Sequence, residues 1–330
     1  MPYARSSGPP IFVVGCGRSG TTMLRLMLDS HPELAIPGES QFIPAIYRNR
    51  EHYVSGGRLD ARRMARDILG RRNVLRWRVP NDAVFDRIRE ISEPDIADVV
   101  ESVFMEYALA RGKTRWGDKT PRHVMWMDRL SDLFPSALFV HVIRDGRDVS
   151  LSYADKPWGP RNAWESARLW RRAITAGLRA RDQLGRERYL EVRYERLVSD
   201  PEATVGAICA FARLDFHESM LDYYKDASER LMISAEQVRF HASSTAPPRI
   251  GIRDWRTQMS EGDVRAFESA AGEELGLLGY ERRYPSMPAR SRALSAAVMQ
   301  GLELRILGSR LKAALARGSH RAHGSASDGP

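Results

Sequence analysis

The chain has 330 residues, 43% of them hydrophobic, with 51 lysines and arginines against 42 aspartates and glutamates. This length and apolar content are enough for one large domain with a substantial core. The net charge of +9 comes almost wholly from arginine, since the chain has only five lysines. A basic protein attracts anions in general, so the charge does not choose among nucleic acid, a membrane surface and a nucleotide-like ligand.

The composition excludes several classes of protein. Only two cysteines occur, Cys16 and Cys209, which excludes a disulfide framework and a cysteine-rich zinc site. No run of about 18 apolar residues is present, and residues 1–10 lack the apolar stretch of a signal peptide. We therefore expect a cytoplasmic protein without a membrane span, and we expect no bound metal.

The first motif lies at residues 11–32 and predicts a strand, a tight turn and a helix. Residues 11–14 (IFVV) have the apolar, β-branched character of a buried parallel strand. The turn that follows contains three glycines, and a helix is predicted from Thr22. Glycines let backbone N–H groups face an anion, and the positive end of a helix adds to that field. The motif predicts a cradle for a phosphate or sulfate group.

The glycine spacing is that of a nucleotide-triphosphate loop, G-x-x-x-x-G-K-[ST], but without its lysine. Thr21 stands at the lysine position, and Arg18 lies inside the loop. The site is therefore poorly suited to the β and γ phosphates of ATP, and a different phosphorylated donor is implied. An ordinary strand-to-helix turn is the structural alternative.

A second predicted strand, at residues 137–143, is followed by a similar anion site. Arg144 stands at its end and can offer two parallel hydrogen bonds to a phosphate. Ser152 lies about two helical turns further on and can donate to the same group. A third strand, at residues 189–192, is followed by Tyr194.

Three segments in this order give the chain a family resemblance. They resemble segments of sulfotransferases that use 3′-phosphoadenosine 5′-phosphosulfate (PAPS). The three segments are GCGRSGTTMLRLMLDSHPELAIPGES, LFVHVIRDGRDVSLSY and VRYERLVSDPEATVGAICAFARLDF. They are most similar to the branch of tyrosylprotein sulfotransferases and many bacterial enzymes, over roughly residues 10 to 280. The resemblance implies an α/β fold, a P-loop NTPase-like three-layer architecture with a central parallel sheet and helical insertions.

The resemblance also implies a set of site residues. Glu39 would be the general base, while Lys119 and Arg18 would act on the sulfuryl group and the leaving group. Arg144 and Ser152 would bind the 3′-phosphate of PAPS and of the product adenosine 3′,5′-bisphosphate. The implied donor-binding residues are Arg18, Ser19, Gly20, Thr21, Thr22, Arg144, Ser152, Tyr194, Ser244 and Arg249.

Other roles for two of these candidates stay open. Glu39 would instead cap a helix beginning near Ser40 or pair with an arginine, and Lys119 would pair with Asp118 or Asp145. His123 is a second candidate base, with a surface helix position as its alternative. Two rival functions also remain, a small-molecule kinase-like enzyme and an inactive nucleotide-binding scaffold.

We expect a sulfotransferase domain at residues 1–284, with a helical insertion at about residues 41–111 that shapes the acceptor pocket. Arg76, Trp77 and Arg78 are candidates to line it. Residues 285–330 form a basic amphipathic tail that suits a partner subunit in a homodimer, an anionic lipid surface or the chain's own core. Its last part is predicted to be disordered. The acceptor is expected to be a small molecule, glycan, lipid or tyrosyl peptide, and not nucleic acid.

Overall fold

The computed structural model describes residues 6–231 and 244–285. Its strands are β1 (Ile11–Gly15), β2 (Leu34–Ala35), β3 (Val54–Ser55), β4 (Arg58–Leu59), β5 (Arg115–Lys119), β6 (Leu138–Ile143) and β7 (Tyr189–Arg193). Five of them form one sheet in the order β2-β5-β1-β6-β7, and all its neighbouring strands are parallel. The strands predicted at residues 11–14, 137–143 and 189–192 are confirmed, each within one residue at either end.

The helices cover both faces of this sheet. They are α1 (Thr21–Asp29), α2 (Ile43–Arg48), α3 (Ala61–Leu69), α4 (Arg72–Leu75), α5 (Asn81–Arg89), α6 (Ile96–Leu109), α7 (Met127–Leu133), α8 (Gly146–Tyr153), α9 (Ala163–Arg188), α10 (Tyr194–Ser199), α11 (Pro201–Ala212), α12 (Ala227–Arg230), α13 (Trp255–Gln258) and α14 (Glu261–Leu277). Short 3-10 helices lie at Arg50–Tyr53, Pro121–Trp126 and Glu218–Met220.

The central strand β1 shows why the three-layer arrangement forms. Every residue of β1 is buried, and alternate side chains point to opposite faces of a strand. Phe12 and Val14 join the larger apolar core, which also contains residues of α6 and α9. Ile11 and Val13 join the second core, which contains residues of α1 and α11. The predicted α/β three-layer fold is therefore confirmed.

The strand order places a crevice at the carboxyl ends of the central strands. After β1 the chain passes to β2 and β5 on one side, and then crosses to β6 and β7 on the other. In an open parallel sheet, ligands bind at such a reversal, outside the carboxyl ends of the strands. Residues that follow β1, β5 and β6 are therefore brought to one edge of the sheet.

The insertion at residues 41–111 is largely helical, as predicted, but it also contains a hairpin that was not predicted. Strands β3 and β4 pair antiparallel across Gly56 and Gly57, both of which have positive φ angles. Such a two-residue turn favours glycine, because both positions need left-handed backbone.

Trp77 corrects the predicted lining of the acceptor pocket. Its side chain is 1% exposed, and its ring centroid lies 5.2 Å from that of Phe104 and 6.1 Å from that of Phe42. Burying a large aromatic side chain is strongly favourable, so Trp77 serves the core of the insertion. Arg76 and Arg78 are exposed.

Several predicted helix starts are confirmed by their capping side chains. Asp200 accepts a hydrogen bond from the N–H of Ala203, and Ser260 accepts one from the N–H of Asp263. Within residues 6–231 and 244–285, no helix has the length and apolarity needed to cross a lipid bilayer. The predicted tail lies outside the described residues except for Pro285, and the predicted domain limits stay predictions.

Candidate active site

The loop between β1 and α1 forms a tight backbone cradle. Gly20 has φ +92° immediately before α1, and the ring of Tyr194 occupies the place where a Cβ atom at residue 20 would lie. Gly17 is equally crowded by the hydroxyl of Tyr153. Arg18 is a non-glycine residue with φ +71°, a strained conformation that other contacts must hold.

A cleft opens above this loop, between the carboxyl ends of β1 and β6. The residues that line it are Arg18, Gly20, Thr21, Thr22, Met23, Arg144, Ser152, Tyr194 and Ser244. Eight of the ten predicted donor-binding residues are therefore brought together. Ser152 and Tyr194 reach the cleft from α8 and from the start of α10, so residues far apart in the sequence share one anion-sized site.

Direct contacts join the first two motifs. The Nε of Arg18 donates to the Oγ of Ser152 at 3.2 Å, and the Nη1 of Arg144 donates to the carbonyl of Arg18 at 3.4 Å. Burial lowers the pKa of Arg18 from its usual value, although the nearby Tyr153 and Asp155 partly oppose the effect. Both arginines line the cleft, and their positive charges favour an anion there.

Arg144 is buried and held in place from several sides. Its guanidinium lies 4.3 Å from the ring centroid of Tyr194, and its carbonyl accepts a hydrogen bond from the indole N–H of Trp170. Its Nη2 lies 3.9 Å from Oδ2 of Asp148. Its Nε is buried and has no hydrogen-bond partner among the described residues. A buried donor without a partner is costly, which indicates that an anion supplies the acceptor.

Asp148 connects this site to the segment that begins with Trp255. Its Oδ1 accepts a hydrogen bond from the backbone N–H of Trp255 at 2.9 Å. Burial raises the pKa of Asp148 to about 6, and the cation of Arg144 only partly opposes that rise. Asp148 therefore links the first turn of α8 to the segment that begins with Trp255.

Glu39 and Lys119 form an ion pair beside the cleft. The Nζ of Lys119 lies 2.8 Å from Oε1 of Glu39 and 3.4 Å from Oγ1 of Thr22. Lys119 therefore pairs with Glu39, and the alternatives of Asp118 and Asp145 for Lys119 are wrong. Glu39 also caps no helix, because α2 begins at Ile43 with Phe42 before it.

The two side chains of this pair differ in exposure. The side chain of Glu39 is 34% exposed, whereas that of Lys119 is 5% exposed. The Nε2 of Gln41 donates to the other carboxylate oxygen, Oε2, at 2.9 Å. The carboxylate is thus oriented by two donors while it stays open to an incoming acceptor.

The alternative that His123 occupies a surface helix position is wrong. It lies in the 3-10 helix Pro121–Trp126 with a buried side chain. Its Nδ1 is 2.8 Å from Oδ2 of Asp118, although the two atoms are poorly aligned for a hydrogen bond. Burial keeps the His123 side chain away from solvent, whereas the Glu39 side chain is partly exposed.

Two predicted donor-binding residues do not line the cleft. The N–H of Ser19 donates to the carbonyl of Cys16 at 3.2 Å, and its side chain is fully buried, so that N–H is not free for the donor. Arg249 is exposed and lies outside the cleft lining. Conversely, Met23 in the first turn of α1 lines the cleft but was not among the predicted residues.

The residues present fit a doubly anionic nucleotide such as PAPS. The cradle leads into the N-terminus of α1, whose partial positive charge attracts an anion. The buried Nε of Arg144, which has no hydrogen-bond partner among the described residues, belongs to a residue that lines the same cleft. Arg144 and Ser152 would hold one phosphate, and the loop would hold the other.

Comparison with known proteins agrees with this geometry. The profile of the Sulfotransferase family matches residues 9–218. A putative protein-tyrosine sulfotransferase of Caenorhabditis briggsae is 25% identical over 284 residues, which cover 82% of this chain and 89% of the relative. Protein-tyrosine sulfotransferase 2 of Gallus gallus is 29% identical over 285 residues, covering 83% and 70% respectively.

A solved structure shares the fold. The sulfotransferase domain from the Synechococcus PCC 7002 olefin synthase superposes with a TM-score of 0.54 at 24% identity, covering 82% of this chain and 97% of that one. The matched profile spans the loop, Glu39, Lys119, Arg144 and Ser152. The chain belongs to the sulfotransferase family.

Proposed function

We propose that this enzyme transfers the sulfuryl group of PAPS to an acceptor hydroxyl, with Glu39 as the general base. One observation carries the proposal: the cleft that joins the β1 loop to Arg144 and Ser152 lies beside the Glu39–Lys119 pair through Thr22. A donor site and an oriented carboxylate are therefore adjacent, as a direct transfer between two bound substrates requires.

The donor would be held at both of its anionic ends. Arg144 and Ser152 would bind the 3′-phosphate, with Tyr194 supporting the Arg144 guanidinium from one face. The N–H groups of residues 20–22 and the start of α1 would bind the phosphosulfate. Arg18 contacts Ser152 and therefore links the two ends.

Catalysis would depend on positioning and charge neutralisation. Glu39 would accept the proton of the acceptor hydroxyl. The hydroxyl oxygen would attack the sulfur of PAPS in line with the departing adenosine 3′,5′-bisphosphate. Lys119 and Arg18, with the loop N–H groups, stabilise the negative charge that develops on the leaving group. Lys119 can both orient the Glu39 carboxylate and stabilise the leaving group, because its ammonium contacts Glu39 and Thr22 in the first turn of α1.

We propose a tyrosyl hydroxyl as the first acceptor to test. The relatives from Caenorhabditis briggsae and Gallus gallus carry the name protein-tyrosine sulfotransferase. Sugars, lipid-linked glycans and aromatic natural products suit the same donor chemistry, since a shared fold does not determine the acceptor. The helical insertion and the exposed side of Glu39 would form the acceptor's surroundings.

The test is a transfer assay with PAPS labelled on its sulfuryl group. A tyrosyl peptide and fractionated cell extract serve as acceptors, binding of adenosine 3′,5′-bisphosphate is measured by calorimetry, and ATP is offered in parallel. Label in an acceptor together with tight bisphosphate binding supports the proposal. Binding without transfer to any fraction would indicate an inactive scaffold, and turnover of ATP would indicate a kinase-like enzyme.

A further inference from the structure

The helical insertion contacts the backbone of the proposed base directly. Asn73 lies in α4, and its Nδ2 donates to the carbonyl of Glu39 at 2.8 Å and also to the carbonyl of Ser40. Asn73 follows Glu39 by 34 positions, so this is a tertiary contact and not part of a local turn. One side-chain amide thus anchors two consecutive peptide groups.

The same segment is held on its other side by the residues that follow β5. The Oγ1 of Thr120 accepts a hydrogen bond from the N–H of Ser40 at 3.1 Å and lies 3.2 Å from its Oγ. The Thr120 hydroxyl in turn lies 3.1 Å from Oδ1 of the buried Asp118, to which it donates. Glu39 and Ser40 are therefore held between β5 and the insertion.

The backbone after Ser40 needs this support. Gln41 has φ +53°, a left-handed conformation that costs a non-glycine residue free energy. Such a conformation persists only where surrounding contacts hold it. Gln41 also donates to the carboxylate of Glu39, so relaxation of this turn would move the carboxylate as well as the backbone.

We propose that Asn73 is a positioning residue for sulfuryl transfer, which holds the Glu39 carboxylate against Lys119. The inference rests on the proposed role of Glu39 as base. It gives the insertion a part in catalysis besides shaping the acceptor site, because α4 reaches the base through this amide. Asn73 touches neither the donor cleft nor the reacting atoms.

The kinetic test uses Asn73→Ala and Asn73→Asp, with Arg72→Ala as the matched control. Arg72 is exposed on the same short helix. We expect both Asn73 variants to lose about tenfold to a hundredfold in kcat, the effect of a small misplacement of a reacting group. Binding of adenosine 3′,5′-bisphosphate should stay unchanged, and Arg72→Ala should match the unaltered enzyme.

The pH profile separates positioning from general destabilisation. A carboxylate that moves away from a cation takes up protons more readily. The acid limb of the kcat profile should therefore move to higher pH in Asn73→Ala, whereas a smaller folded fraction would lower the profile without moving it. A lower but unshifted profile would overturn the proposal.

A second measurement does not need turnover. Backbone hydrogen exchange of residues 37–43 should become faster in Asn73→Ala and stay unchanged in Arg72→Ala, while exchange of β1 and β6 stays slow in both. Unchanged exchange at residues 37–43 would overturn the proposal even if no acceptor were found. Failure of all sulfuryl transfer by the unaltered enzyme would instead contradict the proposed function.

Discussion

Glu39 and Lys119 show how one ion pair can serve two steps of a transfer reaction. Lys119 is buried and Glu39 is partly open, so the pair presents its anion to solvent and its cation to the start of α1. The Lys119 cation orients the Glu39 carboxylate, whose second oxygen accepts from Gln41. We therefore expect this contact to affect the rate, because it positions the proposed base.

Replacing the base should separate binding from chemistry. Glu39→Ala removes the proposed proton acceptor, so we expect kcat to fall by about a hundredfold or more. Bisphosphate binding should be nearly unchanged, because Glu39 does not line the donor cleft. Steady-state sulfuryl transfer and calorimetry measure the two effects. Weakened binding with unchanged turnover per bound enzyme would contradict the assignment.

Asp148 should give the folded protein a pH dependence of its own. Burial raises the pKa of Asp148 to about 6, above the value of about 4 in an unfolded chain. The folded state therefore binds the proton more tightly, and stability falls as the pH rises from about 4 to about 6. Asp148→Asn should remove this loss while the amide oxygen can still accept from the N–H of Trp255.

Melting temperatures measured between pH 4 and pH 7 check the effect of Asp148→Asn. We expect the melting temperature of the variant to rise relative to that of the unaltered protein as the pH increases from about 4 to about 6. Parallel curves for the two proteins would show that the carboxyl of Asp148 titrates normally.

At the scale of elements, the site depends on how a strand, a loop and a helix meet. The end of β1 turns into α1 through Gly20, whose left-handed backbone and missing Cβ leave room for the Tyr194 ring. The same ring lies against Arg144 from the end of β6. One glycine therefore permits the contact between the two anion-binding motifs.

Gly20→Ala should disrupt the packing of the Tyr194 ring between the β1 loop and Arg144. A Cβ atom would clash with Tyr194 and force an unfavourable left-handed backbone, so we expect lower stability and a loss of bisphosphate binding. Gly206→Ala in α11 is the control, because no atom lies within 4 Å of its added Cβ. That substitution in a helix interior should stabilise the protein by about 0.5–1 kcal/mol. Calorimetry and urea unfolding distinguish the two, and equal binding by both variants would contradict the expectation.

At the scale of the whole molecule, a buried charge network joins the donor site to the last described helix. Arg147 is fully buried and contacts Asp145 at 2.8 Å and Glu268 of α14 at 2.8 Å. Glu268 also accepts hydrogen bonds from the N–H groups of Arg283 and Tyr284. The ring of Trp255 lies 3.5 Å from the Arg147 guanidinium. The end of β6 is therefore connected to residues about 120 positions later in the chain.

Breaking this network should cost more than breaking an exposed ion pair. Glu268→Ala leaves Arg147 buried with one carboxylate fewer, so we expect a loss of about 3–5 kcal/mol in the free energy of unfolding. Asp132→Ala breaks the exposed Arg129–Asp132 pair and should cost less than about 1 kcal/mol. Urea unfolding of both variants tests the difference, which similar losses would contradict.

Much of the fold and of the donor site follows from local sequence. The strand, turn and helix at residues 11–29, the strand before Arg144 and the caps at Asp200 and Ser260 all lie within short segments. Local backbone chemistry determines such features, because glycine, proline and capping residues act on their immediate neighbours. The carboxyl-edge rule for parallel sheets then predicts that Arg18 and Arg144 converge.

The long-range pairings were decided by tertiary structure alone. Glu39 and Lys119 are 80 positions apart, and the choice of Glu39 over Asp118 or Asp145 depends on how β5 and the insertion pack. Packing also buried Trp77 and His123, although the sequence around each of them was compatible with an exposed position. Hydrogen-bonding ability identifies which residues can act, but only the packed fold determines which of them meet.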